Sequence, residues 1–121
     1  MKTQLSRTFT FDAAHKLVDY EGICSRIHGH TYTLVITVEG EPDTSGMVMD
    51  FFDLKTLVND SIIARLDHTY LNEFYTQPTI ETVAADIFHT MQKTLKETHP
   101  SVRLYSVQLW EGKKSCVEVF P

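Results

Sequence analysis

One stretch of the chain, residues 28–38, constrains the fold more than any other. Every second residue there carries an imidazole, an aromatic ring or an aliphatic side chain, in the order His28, His30, Tyr32, Leu34, Ile36 and Val38. Threonines and small residues fill most of the positions between them. Because residues i and i+2 of a strand point to the same face, this pattern predicts a half-buried strand from His28 to Glu41. Two histidines then stand at the start of its apolar face.

A second alternating stretch precedes the first. Phe9, Phe11 and Ala13 alternate with threonines and an aspartate, and His15 continues their face, which predicts a strand from Gln4 to His15. Residues 16–27 show no steady period, so we expect a loop that brings Cys24 back towards the strand ends. The sequence therefore predicts three imidazoles converging near one thiol.

The rest of the chain predicts two helices and then two strands. The first helix starts near Asp50 and is marked by an apolar stripe at helical spacing: Leu54, Leu57, Val58, Ile62 and Leu66. Thr79 is a good N-cap for the second helix, which ends at His99-Pro100. Strands follow at residues 102–111 and 115–120. This ββααββ order predicts an α+β fold in one domain, residues 1–121, with a four-stranded antiparallel sheet and two helices on one face.

Composition argues against several classes of partner. The formal net charge is −5, and no run of Lys or Arg offers a footprint for nucleic acid or an anionic membrane. No signal-peptide core and no apolar run of membrane-spanning length occurs, so we expect a cytoplasmic protein. In that compartment Cys24 and Cys116 are expected to stay reduced, with Cys116 inert.

Three histidines at these positions match the open three-histidine arrangement of catalytic zinc. Copper, iron and nickel also accept imidazole ligands, so the residues alone leave the metal's identity open. Cys24 has two interpretations: a fourth ligand that closes a structural site, or a base beside the metal whose thiol pKa a nearby cation lowers. We favour the base, because thiolate and metal serve different roles in acid–base chemistry.

Asp67-His68 lies at the end of the first predicted helix. The carboxylate could set the tautomer and the pKa of the imidazole for proton transfer, or the histidine could simply interact with the helix dipole. Spacing leaves both interpretations open. Glu111, at a strand end beside Gly112, is expected by default to be a solvated carboxylate.

Several short motifs together resemble the 6-pyruvoyl-tetrahydropterin synthase / 6-carboxy-tetrahydropterin synthase family over nearly the whole chain. They are Phe11-Asp12-Ala13-Ala14-His15, Cys24 with His28-Gly29-His30, Asp50-Phe51, Leu66-Asp67-His68 with Leu71-Asn72, Pro78-Thr79 with Glu81, and Glu111. The resemblance implies the tunnelling fold, in which the sheets of three subunits close into a barrel. Two such trimers would stack into a hexamer with sites between subunits.

The resemblance also implies roles for individual residues. The three histidines (His15, His28 and His30) would bind one zinc ion per subunit, and Cys24 would be the proton-abstracting base. Asp67 and His68 would form a companion relay. Glu111 would anchor the pterin's guanidine-like edge, with Thr79 and Glu81 lining that pocket from a neighbouring subunit.

The implied substrate is 7,8-dihydroneopterin triphosphate, which the carboxy branch converts to 6-carboxy-tetrahydropterin with release of acetaldehyde and triphosphate for queuosine synthesis. The short gap between Cys24 and His28 is typical of that branch, whereas animal pyruvoyl synthases carry a longer insert. A pyruvoyl synthase, which retains the side chain, is the alternative. A non-catalytic pterin- or metal-binding module is a further one, disfavoured because binding alone needs neither Cys24 nor Asp67-His68.

The chain departs from the family pattern near the substrate. Gly112 follows Glu111 where threonine is common, which removes a hydroxyl from the presumed pterin pocket. No phosphate-binding loop is recognisable. Lys16, Arg26 and Arg65 are triphosphate candidates by charge alone.

Overall fold

The computed structural model describes all residues, 1–121, and its longest ladder joins the two strands that the alternation predicts. Strand β1 (Thr3–His15) pairs antiparallel with β2 (His28–Gly40) along their full lengths. Phe11 and Tyr32 are opposite each other on the buried face, with stacked rings whose centroids are 5.0 Å apart. The register ends with His15 directly opposite His28, so strand pairing alone brings two imidazoles together.

The sheet has five strands, in the order β3-β1-β2-β4-β5, rather than the predicted four. Strands β4 (Arg103–Glu111) and β5 (Ser115–Val119) form the expected C-terminal hairpin. The additional strand, β3 (Thr69–Tyr70), pairs parallel with β1 at the sheet edge. Two residues are too few to show alternation, and β3 follows a helix end directly, which is why the sequence predicted only a connecting loop there.

The first helical segment begins as predicted and contains a turn that was not predicted. Helix α1 (Phe51–Val58) starts after Asp50, whose carboxylate accepts the Phe52 N–H at 2.7 Å. It continues through one π-helical turn, Asn59–Ile63, into α2 (Ala64–Leu66). The fully buried residues recur every four positions, at Leu54, Val58, Ile62 and Leu66. A strict four-residue spacing drifts around an α-helix of 3.6 residues per turn, and the wider π turn offsets that drift.

Helix α3 (Ile80–Thr98) confirms the second predicted helix and its cap. The Thr79 hydroxyl accepts the Thr82 N–H at 3.2 Å. Its buried stripe packs on the sheet: Val83, Ala84, Ile87, Phe88, Met91 and Leu95. The hydrophobic core therefore lies between the helices and the face of the sheet that carries Phe11 and Tyr32. None of the helices combines the length and the apolar character that crossing a membrane requires.

Candidate active site and metal centre

Three imidazoles meet where β1 ends and β2 begins, on the core face of the sheet. The ring centroids of His15 and His28 are 4.7 Å apart, those of His28 and His30 are 4.7 Å apart, and those of His15 and His30 are 5.2 Å apart. One ring nitrogen from each residue lies within 4.8 Å of the others. His15 is buried, and the other two rings are partly covered. This spacing suits three ligands of one metal ion.

Backbone carbonyls determine the tautomers of two of these rings. His15 Nδ1 lies 2.8 Å from the Pro78 carbonyl oxygen, and His28 Nδ1 lies 2.7 Å from that of Arg26. A carbonyl oxygen only accepts, so both Nδ1 atoms carry the proton in the neutral rings and both Nε2 atoms present lone pairs. Those Nε2 atoms are 3.2 Å apart. Two lone pairs facing each other at that distance need a cation between them, so the donor set fits a bound metal.

The third imidazole of the group belongs to His30. Its Nε2 is buried and has no hydrogen-bond partner in the protein. Burial lowers the pKa of His30, an effect that the nearby Glu111 carboxylate opposes. The ring is therefore neutral at neutral pH, which is the form that ligates a metal.

Glu111 faces two of the three histidines, contrary to the default expectation of a solvated carboxylate. Its carboxylate oxygens lie 3.4 Å from His30 Nε2 and 3.9 Å from His15 Nε2, and its side chain is only 25 % exposed. The sequence did contain the signal: Glu111 continues the alternation of Val107 and Leu109, both of which are fully buried. In the pairing of β2 with β4, Glu111 lies opposite Tyr32.

Cys24 lies in a short 3₁₀ turn, Ile23–Ser25, within the predicted loop. The thiol is free and partly buried. Its sulfur is not part of the group of mutually close ligand atoms that the three histidines form. Within one chain, the structure therefore groups the three histidines without the Cys24 sulfur.

Asp67 and His68 form a second polar group at the β1 edge. Asp67 Oδ1 lies 3.0 Å from His68 Nδ1 and accepts the Asp12 N–H at 2.9 Å, while the His68 N–H donates to the Asp12 carbonyl at 2.6 Å. The hydrogen bond from Asp12, followed by those from His68, lowers the pKa of Asp67. His68 has a φ of +60°, a strained backbone conformation for a non-glycine residue. The imidazole is thereby held outwards, 79 % exposed, beside an ionised carboxylate.

An open groove adjoins the second polar group. The side chains of Asp12 and Thr31 alternate with the histidine-bearing positions, so they point away from the core. They line an open groove of about 520 Å³ together with Gly29, His30 and His68. Within one chain, Asp67 and His68 are nevertheless not part of the group of mutually close ligand atoms that the three histidines form.

The remaining predicted site residues lie near the start of α3. The Thr79 hydroxyl is engaged as the helix N-cap, and Glu81 is exposed in the first turn. Neither contacts the three histidines through a hydrogen bond or ion pair. In this part of the chain the residue that does is Pro78, whose backbone carbonyl has no sequence signature.

Comparison with known proteins identifies the family that the chain resembles. Residues 4–121 match the family model described as 6-pyruvoyl tetrahydropterin synthase. The chain is 39 % identical over 121 residues to the dihydroneopterin monophosphate aldolase of Pyrococcus furiosus, covering 98 % of both chains. It is 37 % identical over 127 residues to the 6-carboxy-5,6,7,8-tetrahydropterin synthase of Bacillus subtilis, covering 97 % of this chain and 76 % of the relative.

A solved structure shares the architecture over the full length. The 6-pyruvoyl tetrahydropterin synthase of Caenorhabditis elegans superposes with a TM-score of 0.85 and 28 % identity, covering 100 % of this chain and 96 % of that one. The expected tunnelling fold is confirmed, with a fifth short strand at the sheet edge. Because the family match spans almost the whole chain and several relatives exceed 30 % identity, this protein belongs to the 6-pyruvoyl tetrahydropterin synthase family.

Proposed function

We propose that this protein is a 6-carboxy-5,6,7,8-tetrahydropterin synthase acting on 7,8-dihydroneopterin triphosphate. It would form 6-carboxy-tetrahydropterin and release acetaldehyde and triphosphate, in the synthesis of 7-deazaguanines such as queuosine. The observation that carries the proposal is the open group of His15, His28 and His30, with Cys24 separated from His28 by a three-residue gap. The Bacillus subtilis relative, which bears this enzyme name, supports it.

The three histidines would hold zinc. Zinc held by these residues would supply Lewis-acid chemistry towards the hydroxyl and carbonyl oxygens of the substrate side chain. The chain's contribution is preorganisation, because the carbonyls of Pro78 and Arg26 fix the His15 and His28 rings with Nε2 turned inwards. No side-chain reorganisation is then needed when substrate binds.

Proton transfer is the work of the other polar residues. Cys24, as the thiolate, would remove a proton from the substrate side chain. Asp67, ionised and hydrogen-bonded to the β1 backbone, would orient His68 so that its Nε2 exchanges a proton with the substrate. Glu111 would accept paired hydrogen bonds from the guanidine-like edge of the pterin.

An assembly would bring these groups to one substrate, because within one chain the Asp67-His68 pair is not part of the three-histidine group. We propose a homohexamer of two stacked trimers in which the Asp67-His68 pair of one copy meets the histidine group of a neighbour. Thr79 and Glu81, at the exposed start of α3, would line the pterin pocket across the same interface. Light scattering of the purified protein measures this state directly, and a monomer at micromolar concentration would contradict it.

Two other products have specific support. The Caenorhabditis elegans structure favours a pyruvoyl synthase, which retains the substrate side chain. The Pyrococcus furiosus relative favours aldolase chemistry on dihydroneopterin monophosphate, and its similarity covers nearly the whole of both chains. The three-histidine group by itself does not distinguish these reactions, so the product and the phosphate state of the substrate separate them.

The decisive experiment incubates the zinc-loaded protein with dihydroneopterin triphosphate, and separately with the monophosphate, and analyses the pterin by mass spectrometry. A 6-carboxy product with stoichiometric acetaldehyde supports the proposal. A pyruvoyl side chain, or turnover of the monophosphate alone, would overturn it in favour of the corresponding alternative.

The role of Cys24 has its own test. Cys24→Ala is expected to retain zinc and lose turnover, because the thiol lies outside the ligand group. Cys116→Ala, which removes an exposed thiol on β5, is the matched control and should retain both. Loss of zinc from Cys24→Ala would instead identify Cys24 as a metal ligand.

A further inference from the structure

Two side-chain amides in the segment between β3 and α3 form hydrogen bonds with the backbone just after β1. The Lys16 N–H donates to Asn72 Oδ1 at 3.0 Å, and Asn72 Nδ2 donates to the Lys16 carbonyl at 3.0 Å. The Val18 N–H donates to Gln77 Oε1 at 2.7 Å, and Gln77 Nε2 donates to the Val18 carbonyl at 2.8 Å. Each amide thus satisfies both backbone groups of one residue, as a neighbouring strand would.

The residue between Lys16 and Val18 forms a hydrogen bond with the backbone of Cys24. Backbone groups of an extended segment point alternately to its two sides, so Leu17 faces away from the amides. Its N–H donates to the Cys24 carbonyl oxygen at 2.8 Å. A continuous path of hydrogen bonds therefore runs from Asn72 and Gln77, through residues 16–18, to the residue that carries the thiol.

Packing contributes little to holding this loop. No residue from Lys16 to Ile27 is buried, and Ile23 and Ile27 are 84 % and 64 % exposed. Only Leu17 and Cys24 are partly covered, and they are the two residues that the backbone hydrogen bond joins. The loop's conformation thus depends on hydrogen bonds more than on burial of apolar surface.

The same segment also forms a hydrogen bond with the three-histidine group. Pro78 follows Gln77 directly, and its carbonyl binds the imidazole of His15, the residue before Lys16. Hydrogen bonds accordingly join residues 15, 16 and 18 to residues 78, 72 and 77, respectively. One segment therefore sets the orientation of a metal-binding imidazole and the path of the Cys24 loop relative to it.

We infer that Asn72 and Gln77 are positioning residues for Cys24: their amides fix the backbone of Lys16 and Val18, and so place the thiol relative to the three-histidine group. The catalytic consequence rests on the proposed function, in which Cys24 is the base. The placement itself does not depend on it. Small displacements of a reacting group cost large factors in rate, so loss of either amide should lower turnover without removing the metal.

The test uses Asn72→Leu and Gln77→Met, which keep side-chain size and remove both hydrogen bonds, in a Cys116→Ser background that leaves Cys24 as the sole thiol. Gln92→Met, which removes an exposed amide on α3, is the matched control. The first readout is the rate of Cys24 alkylation by iodoacetamide, with zinc content and thermal midpoint recorded for each variant.

We expect alkylation to accelerate by about threefold or more in Asn72→Leu and Gln77→Met, because the loop opens more often. Zinc content should stay at the parent level, and Gln92→Met should behave as the parent. In the pterin assay, kcat should fall by about tenfold to a hundredfold with KM little changed. Unchanged alkylation, or faster alkylation with unchanged kcat in an active enzyme, would overturn the inference.

A failure of the proposed function would be recognised separately. If the parent turns over no pterin while the two variants still expose Cys24, the placement holds and the assigned reaction is wrong. Should either variant fail to fold, amide hydrogen exchange of the parent decides: the Leu17 and Val18 amides should exchange slowly in spite of the exposed loop. Exchange at the rate of an open chain would refute the placement.

Discussion

Removing the hydroxyl of Tyr32 should make the protein more stable. The side chain is fully buried, and no protein atom forms a hydrogen bond with its hydroxyl. Its ring stacks on Phe11 and stands edge-on to His30, contacts that phenylalanine preserves. Tyr32→Phe therefore deletes only a buried polar atom that lacks a partner.

The magnitude follows from two opposing effects. A buried hydroxyl without a partner costs about 1–3 kcal/mol of desolvation. The void left by one oxygen atom, of about 10 Å³, costs only about 0.3 kcal/mol. The free energy of unfolding should thus rise by about 0.7–2.7 kcal/mol. For a chain of 121 residues, each kcal/mol corresponds to about 3–5 °C in Tm.

The assay compares urea and thermal unfolding of the parent with Tyr32→Phe and Tyr75→Phe. The Tyr75 hydroxyl donates to Asp86 Oδ2, so its removal breaks a hydrogen bond to a carboxylate and should destabilise by about 1.5–3 kcal/mol. The same chemical change thus has opposite signs at the two sites. A Tyr32→Phe protein that is no more stable than the parent, within the precision of the method, would refute the reasoning.

The difference in stability between the parent and Tyr32→Phe should also depend on pH in the alkaline range. Burial raises the pKa of Tyr32 above its ordinary value, and the Glu111 carboxylate adds to the effect. Above about pH 10 the unfolded parent ionises at this residue while the folded one does not, so unfolding becomes easier. Tyr32→Phe lacks that titration. Its stability advantage should therefore widen as the pH rises past that point, and a constant gap would contradict the buried, neutral hydroxyl.

Three further predictions concern the second polar group and the start of α3. Thr79→Ala removes the N-cap hydrogen bond and should lower the free energy of unfolding by about 1 kcal/mol in a urea titration, whereas Glu81→Ala in the same turn should change it less. Because His68 has a φ of +60°, His68→Gly should be more stable than His68→Ala by about 1 kcal/mol in thermal unfolding; equal midpoints would argue against backbone strain there. The pKa of Asp67 is lowered in the folded protein, so its ionised form stabilises the fold above about pH 4 and this contribution is lost as the pH falls. The difference in unfolding free energy between the parent and Asp67→Asn should accordingly shrink between about pH 6 and pH 3, and a difference that stays constant would contradict it.

Strand alternation was enough to predict most of the sheet. A period of two identifies the buried face of β1 and β2, and it places His15, His28 and His30 together once the strands pair. The same period places Glu111 on the buried face of β4. A solvated carboxylate is the usual expectation for a charged residue beside a glycine at a strand end, which is why the partly buried position of Glu111 is not predicted.

Other features leave no pattern in the sequence. Strand β3 arises from the pairing of two residues with Ala13 and Ala14, a tertiary contact rather than a local preference. The amide contacts of Asn72 and Gln77 join residues 56 and 59 positions apart. The Pro78 carbonyl is a backbone group that any residue would supply. Such contacts depend on where loops pass in space, which neither propensity nor periodicity encodes.

These two kinds of information separate the three-histidine group from the loop that carries Cys24. The histidines sit on a ladder whose register is set by many paired residues, and a slip of one residue would turn His28 and His30 to the opposite face. Cys24 sits on an exposed loop that a few hydrogen bonds hold. Changes in the ladder should therefore affect folding and metal binding together. Changes at Asn72 and Gln77 should leave both nearly intact and act on the thiol, so the cost of each substitution depends on which kind of structure it touches.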